Sequence, residues 1–292
     1  MVRLSGLEYL ARATTLLQRA RLADPEAGIW EAVDLQWWWR TPRSSDTAEQ
    51  LFWMDDEGPV AAVVLTNWGH AWGCDSIRVP GSPDPSLRAI WRRALEAIES
   101  SSLDIVDVLA RDDDVELRDL LTRSGFIAGE RSIIAWMDAR ARAAVAAVPE
   151  GFVFVDRAEH TTKAHPMRRR NGDTVEARLR QCSLYDPALD FAIETVDGEE
   201  AGDALFWFDP VTLVGMLEPM RVEDRYQRRG LARALLSVGL DRLARRGARR
   251  GATRLKVGYS SEIAGKLYAG AGFEPTTRAT SHRWSKPDRQ ER

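Results

Sequence analysis

The stretch Met220-Arg221-Val222-Glu223-Asp224-Arg225-Tyr226-Gln227-Arg228-Arg229-Gly230-Leu231-Ala232 decides how the rest of the chain is read. An apolar run ends at Val222, a short polar loop follows, and a helical pattern opens near Gly230, with Leu231, Ala234, Leu235, Val238 and Leu243 on one face. A loop feeding a helix start offers backbone N–H groups without intrahelical acceptors, at the positive end of the helix dipole, which suits a pyrophosphate. Gly230 lets backbone and phosphate approach with no Cβ between them, and Ala232 is the next smallest choice. Arg228, Arg229 and Arg233 add charge beside the phosphates.

Outward from this loop, the second half reads as strand 152–156, helical stretches within 159–184 and strands 189–196, 201–208 and 212–222. Helix 230–247, strand 253–258, helix 262–270 and a last strand near 277–284 follow. The first half has a similar order: helices 7–22 and 29–40, strands 50–54, 60–66 and 75–79, helix 86–99, strand 103–109, helix 113–123 and strand 131–137. Both halves end on helix, Gly-Phe, strand, at Gly125-Phe126 and Gly272-Phe273, half the chain apart. This is duplication at the scale of a domain rather than a solenoid. Residues 138–148 are rich in alanine and arginine, and Pro149-Glu150-Gly151 opens a new strand. The expected organisation is a domain over 1–137, a linker over 138–150 and a domain over 151–292. The expected class is α/β (α+β), each domain a mixed, mostly antiparallel sheet flanked by helices.

At the phosphate loop the chain resembles the Gcn5-related N-acetyltransferase (GNAT) superfamily, whose Gln/Arg-x-x-Gly-x-Gly/Ala signature stands here as Gln227 to Ala232. The family's Asn-x-x-Ala-x-x-Leu-Tyr-x-x-x-Gly-Phe stands as Ser261-x-x-Ala264-x-x-Leu267-Tyr268-x-x-x-Gly272-Phe273, with Ser261 in place of the asparagine. The two-domain arrangement is similar to the tandem type with mycothiol synthase-like architecture. The resemblance implies acetyl-CoA as co-substrate, no metal, and direct acetyl transfer to a primary amine of a small molecule. It places Met220, Arg221, Val222, Gln227, Arg228, Arg229, Gly230, Leu231, Ala232, Arg233 and Ser261 at the co-substrate, and Tyr268 as the acid that protonates the leaving thiolate. A backbone N–H of the Met220 to Val222 segment would serve the oxyanion. The amine needs a base, for which strand alternation favours Glu218 if no bulge at Pro219 intervenes. Asp203, Asp209 and Glu194 stand behind it.

The first half carries the resemblance only in element order. Leu121 falls where Tyr268 stands, and Asp84-Pro85-Ser86-Leu87-Arg88-Ala89 falls against the phosphate loop. Pro85 removes an N–H donor, Leu87 replaces the glycine and Asp84 repels phosphate, so this domain reads as degenerate and non-catalytic.

Composition bounds the alternatives. The 292 residues carry a net charge of −3, with no basic field for nucleic acid or membrane, although arginines cluster over 225–254. No apolar run reaches spanning length and no signal peptide is visible, so a cytoplasmic protein is expected. Cys74 and Cys182 form no CxxC, and His70, His160, His165 and His282 show no ligand spacing. Cys182 reads as a buried structural cysteine. His165-Pro166-Met167-Arg168-Arg169-Arg170 reads as a solvated loop, and Trp207, Phe208 and Tyr185 as walls of an acceptor cleft. The eleven tryptophans, nine of them before residue 140, read as core and cleft wall. A non-catalytic acyl-CoA-binding sensor or scaffold, motivated by the degenerate half and Ser261, is the reading from another class. A protein N-acetyltransferase is a variant of the first. The tandem pair suits a monomer or a homodimer.

Overall fold

The computed structural model describes residues 1–99, 103–160, 163–246 and 251–286; positions 161–162 and 247, inside expected helical stretches, lie outside these. The chain forms two compact units, and neither is a consecutive half. Unit 1 comprises Met1–Leu35, Pro42–Ile133 and the chain from Thr277 on, and unit 2 comprises Gln36–Thr41 and Ile134–Thr276.

In unit 1, β1 (Val2–Leu4) and α1 (Gly6–Ala23) lead to the start of α2 (Ala32–Trp38) and then to β2 (Gln50–Asp55), β3 (Gly58–Asn67) and β4 (Trp72–Arg78). Helix α3 (Leu87–Glu99), β5 (Ile105–Arg111), α4 (Val115–Arg123) and the first part of β6 (Ile127–Asp138) follow. The last strand of the chain, β12 (Glu274–Ser285), enters between β5 and β6, giving the order β1-β2-β3-β4-β5-β12-β6. It runs antiparallel to β5, from Ala279 opposite Arg111 to Ser285 opposite Ile105. The unbroken apolar run Val60 to Val64 is buried on both faces, as a central strand requires. Leu87, Ile90, Trp91, Ala94 and Ile98 form the buried stripe of α3, and Trp91 meets Phe126 edge-on at 5.6 Å. Asp114 caps α4 by accepting the Leu117 N–H at 3.0 Å.

In unit 2, β7 (Phe152–Asp156) is followed by two short helical turns, α5 (Arg168–Asn171) and α6 (Val175–Leu179). Strands β8 (Asp190–Thr195), β9 (Glu200–Asp209) and β10 (Val214–Val222), helix α7 (Leu231–Arg245), strand β11 (Arg254–Tyr259) and helix α8 (Glu262–Gly270) complete it. The order is β6-β11-β10-β9-β8-β7, with β7 to β10 antiparallel and β10 parallel to β11. Phe191 stacks on Phe206 at 5.3 Å, and α7 closes this core. Gly239 is the residue of α7 that lies on the Phe206 ring; a Cβ there would come within 2.1 Å of it, which explains a glycine inside a helix. Residues 139–149 run along α7: Arg142 pairs with Asp241 at 3.0 Å, and the Ala146 N–H bonds Ser237 Oγ at 2.9 Å.

Sequence periodicity placed these elements within a few residues but missed β1 and overextended the second helix, read as 29–40 and found as Ala32–Trp38. The end of that helix and the residues after it belong to unit 2. Buried Gln36 donates to Ser183 Oγ at 2.8 Å and accepts the Leu184 N–H at 2.8 Å. The Trp39 indole donates to Gln181 Oε1 at 2.8 Å, Arg40 bonds Asn171, and the Arg178 guanidinium lies over the Trp39 ring at 3.7 Å. A Gln36→Leu variant strands the buried Leu184 N–H, while the exposed Ser183 hydroxyl can turn to water. The variant should lose about 2 kcal/mol, seen as a lower urea midpoint for unit 2 monitored by its tryptophan fluorescence.

Candidate active site

Strands β10 and β11 pair at only three positions, Val214–Arg254, Gly215–Leu255 and Met216–Lys256, and beyond them β10 has no partner on that side. The cause is local. Between Leu217 and Met220 the register of β10 against β9 shifts, so that Glu218 and Pro219 stand against Leu205 alone. Pro219 has no N–H to give a ladder. The fully buried Trp207 holds the bulge from behind, its indole donating to the Glu218 carbonyl at 2.7 Å.

The bulge corrects the expected parity of Glu218. Leu217, Met220 and Val222 stand opposite Phe206, Ala204 and Gly202, alternate residues of β9, and all three pack on the core closed by α7. Glu218 lies in the bulge and does not share their alternation. Its charge nevertheless reaches Tyr268 of α8. The Tyr268 hydroxyl is pushed up to about 12, first by burial and then by Glu218. The Tyr268 ring packs against Tyr259 at 5.7 Å and Phe273 at 5.8 Å, and its hydroxyl has no hydrogen-bond partner among the described residues.

At the open end of the parted strands, Gly230 caps α7 with φ +86°, and no side chain caps this helix. Among the described residues nothing supplies an acceptor to the amides of Gly230, Leu231, Ala232 and Arg233. Arg228 also adopts a positive φ, 59°, in the same loop. Arg228, Arg229 and Arg233 are exposed, and none has a carboxylate within ion-pair distance among the described residues; neighbouring Arg225, by contrast, pairs with Glu199. Gln227 turns back to Val222 O and Asp224, and Arg221 pairs with Glu223 at 3.2 Å. Ser261 caps α8 by accepting the Ala264 N–H at 3.2 Å. Between α7 and α8 lies a recess of ≈ 240 Å³ lined by Arg233, Ser237, Lys266, Leu267 and the 143–144 segment. Pro149 stands 3.5 Å from where a Gly230 Cβ would be.

The other carboxylates are engaged elsewhere. Asp209 caps the turn to β10 through the Val211 N–H at 2.8 Å, and Glu194 holds Lys163 at 2.6 Å. Buried Asp203 takes Arg170 at 2.5 Å, and Arg170 also holds Glu223 at 2.8 Å. Burial raises Asp203 despite Arg170, and raises its neighbour Glu200 to about 7, with the Asp203 charge adding to the effect.

Segment 165–170, expected as a solvated loop, starts inside the core. His165 and Met167 are buried, and Asp190 Oδ2 accepts from His165 Nε2 and from the Tyr185 hydroxyl, each at 2.8 Å. Trp207 and His165 therefore act behind the site; Trp207, expected as a cleft wall, has no exposed surface. Sequence spacing carried no sign of the Asp190 cluster, because its members join only through tertiary packing. Cys182 is buried with its thiol pushed up to about 12 by burial, and its Sγ lies 3.3 Å from the Gln36 carbonyl. In unit 1, α3 begins at Leu87 with its first turn capped by Ser86 Oγ, and Leu121 is wholly buried. Among the described residues no group of metal-ligating side chains forms a cluster, and no helix is long and apolar enough to cross a membrane.

Residues 155–273 match the family model of the acetyltransferase (GNAT) family. No curated protein matches the chain. Its fold is similar to that of a tandem GNAT protein from the clavulanic acid biosynthesis pathway, at 14% identity and TM-score 0.70 over 98% of each chain. It is also similar to a GCN5-related N-acetyltransferase from Sphaerobacter thermophilus, at 19% identity and TM-score 0.60, over 98% of this chain and 96% of that one. A GCN5-related N-acetyltransferase from Kribbella flavida follows at 16% identity and TM-score 0.57, over 93% of this chain and 97% of that one. The chain thus has a tandem GNAT fold.

The acidic pair on β9 makes stability depend on pH. Unfolded, Glu200 titrates at about 4.3; folded, it keeps its proton to about 7. Between these values the folded state binds more protons, so this contribution to stability falls as pH rises. Glu200→Gln removes the titration, and the variant should lose less melting temperature than the wild type between about pH 5 and 7.5.

Proposed function

Because residues 155–273 match the family model of the acetyltransferase (GNAT) family, we propose that the chain is an acetyl-CoA-dependent N-acetyltransferase acting on a primary amine of a small molecule. One observation carries this reading: a helix start with four unaccepted amides, flanked by three arginines without carboxylate partners, at the open end of two parted strands. Such a donor set fits a diphosphate, and Gly230 leaves it room. The edge of β10 from Met220 to Val222, free of β11, offers backbone groups to an extended amide-bearing arm.

Bound acetyl-CoA supplies an activated acyl thioester. The residues around it manage protons and charge. A lysine-like ammonium has a pKa of ~10.4, so at neutral pH about one molecule in a thousand is free amine, a cost of ~4 kcal/mol. Glu218 takes the proton from the ammonium. A backbone N–H beside the bulge donates to the carbonyl oxygen as charge develops there. Tyr268, kept protonated by its raised pKa, gives its proton to the sulfur as the C–S bond breaks and the N–C bond forms, and the second proton shed by the amine nitrogen restores the phenol. The cover that residues 36–41 lay on segment 171–184 favours a small acceptor over a peptide.

A thermal-shift titration tests the co-substrate site. At a hundredfold excess over Kd, acetyl-CoA should add about 2.7 kcal/mol to the wild type and nothing to Gly230→Glu. An unshifted wild type overturns the reading. In a thiol-release screen over small amines, Tyr268→Phe should lower kcat by about 100-fold or more with little change in KM for acetyl-CoA. Binding without thiol release from any amine would instead favour an acyl-CoA sensor.

A further inference from the structure

Unit 1 has parted strands of its own. There β4 and β5 pair only at Trp72–Val106 and Gly73–Asp107, and beyond these positions they open on a cavity of ≈ 280 Å³. Its walls are largely apolar, with Leu17 of α1, Ile77, Leu87, Val108 and Leu117 among them. This space does not suit a diphosphate: the helix start beside it is capped by Ser86, and Pro85 and Leu87 stand where unit 2 has open amides and a glycine.

One wall carries a carboxylate. Asp75 is 7% exposed and lines the cavity, and the Trp30 indole donates to its Oδ1 at 2.8 Å. Among the described residues Oδ2 has no hydrogen-bond partner and Asp75 has no ion pair. Two of the cations that line the cavity are committed to other partners. Arg21 is held by Glu31 at 2.5 Å and by the Pro25 carbonyl at 2.7 Å, and Arg111 by Asp113 at 2.7 Å. Arg78 also lines the cavity but forms no ion pair with Asp75. Asp34 adds charge of the same sign, and burial raises Asp75 to about 7. A buried carboxylate with an idle oxygen, no cation paired to it among the described residues and largely apolar space in front of it has the chemistry of an ammonium receptor.

We propose that unit 1 binds a small organic cation, its ammonium on Asp75 Oδ2 and its apolar body against the cavity wall. The site is separate from the transfer reaction proposed for unit 2 and stands or falls independently of it.

The test uses the full chain labelled with ¹⁵N, with 2-phenylethylamine as the probe and 2-phenylethanol as its neutral control. The Trp30 indole resonance, assigned through Trp30→Phe, reports on this cavity. The amine should shift it saturably, the alcohol should bind about tenfold more weakly or not at all, and Asp75→Asn should weaken the amine by about tenfold or more. Asparagine keeps the acceptor for the Trp30 indole, so an unmoved resonance in the free variant reports an intact wall. No amine-induced shift at millimolar concentration, equal shifts from amine and alcohol, or an unchanged amine titration in Asp75→Asn would each overturn the proposal. The amine–alcohol comparison on the wild type holds whether or not the variant folds.

Discussion

The parting of β10 from β11 after Met216 and Lys256 is the constraint on which the candidate site depends. Parallel neighbours would otherwise satisfy each other's amides along their whole length, leaving no free strand edge. The bulge at Glu218 and Pro219 ends that pairing, Trp207 fixes the bulge from behind, and the α7 core beneath sets how closely β10 is pressed. Small residues are required by this pressure. A Cβ on Gly202 would lie 2.7 Å from the Arg221 carbonyl, and one on Gly215 would lie 2.6 Å from Leu255. The two glycines permit the close packing of β10 against its neighbours on either side of the bulge.

The same geometry has two outcomes in one chain. In unit 2 the gap ends at a helix start whose first amides have no acceptor, and the arginines beside it no carboxylate partner, among the described residues, the donor set proposed above for a diphosphate. In unit 1 the gap ends at a capped helix, and what remains is a compact space with one buried carboxylate. A capped helix start therefore does not close the opening between the strands. It changes the charge and the length of what the opening suits.

How much of this was legible in the sequence depends on how local each feature is. The uncapped helix start at Gly230 and the place of Tyr268 on α8 could be read because each lies in a contiguous spacing on one strand–helix step. The helices and strands could be read because burial imposes periods of 3.6 and 2 on neighbouring residues. The burial of His165 and Met167, the place of Trp207 behind the bulge and the docking of residues 36–41 were not readable, since each depends on partners far along the chain. Pro219 flagged the bulge, but not where the Glu218 side chain would lie relative to Met220. A period of 2 also says nothing of which strand lies beside which, so β12 read as an ordinary last strand of its own half.

The placing of β12 has a consequence for biosynthesis. The slot between β5 and β6 is filled by a strand that begins about 150 residues after β6 does. At roughly 5–20 residues per second, the nascent first half waits on the order of ten seconds with the edge of β5 exposed. Unit 2, which takes Gln36–Thr41 from the first half, has that segment at hand from the start. The later half can therefore close first, and the earlier half becomes complete only when β12 has emerged.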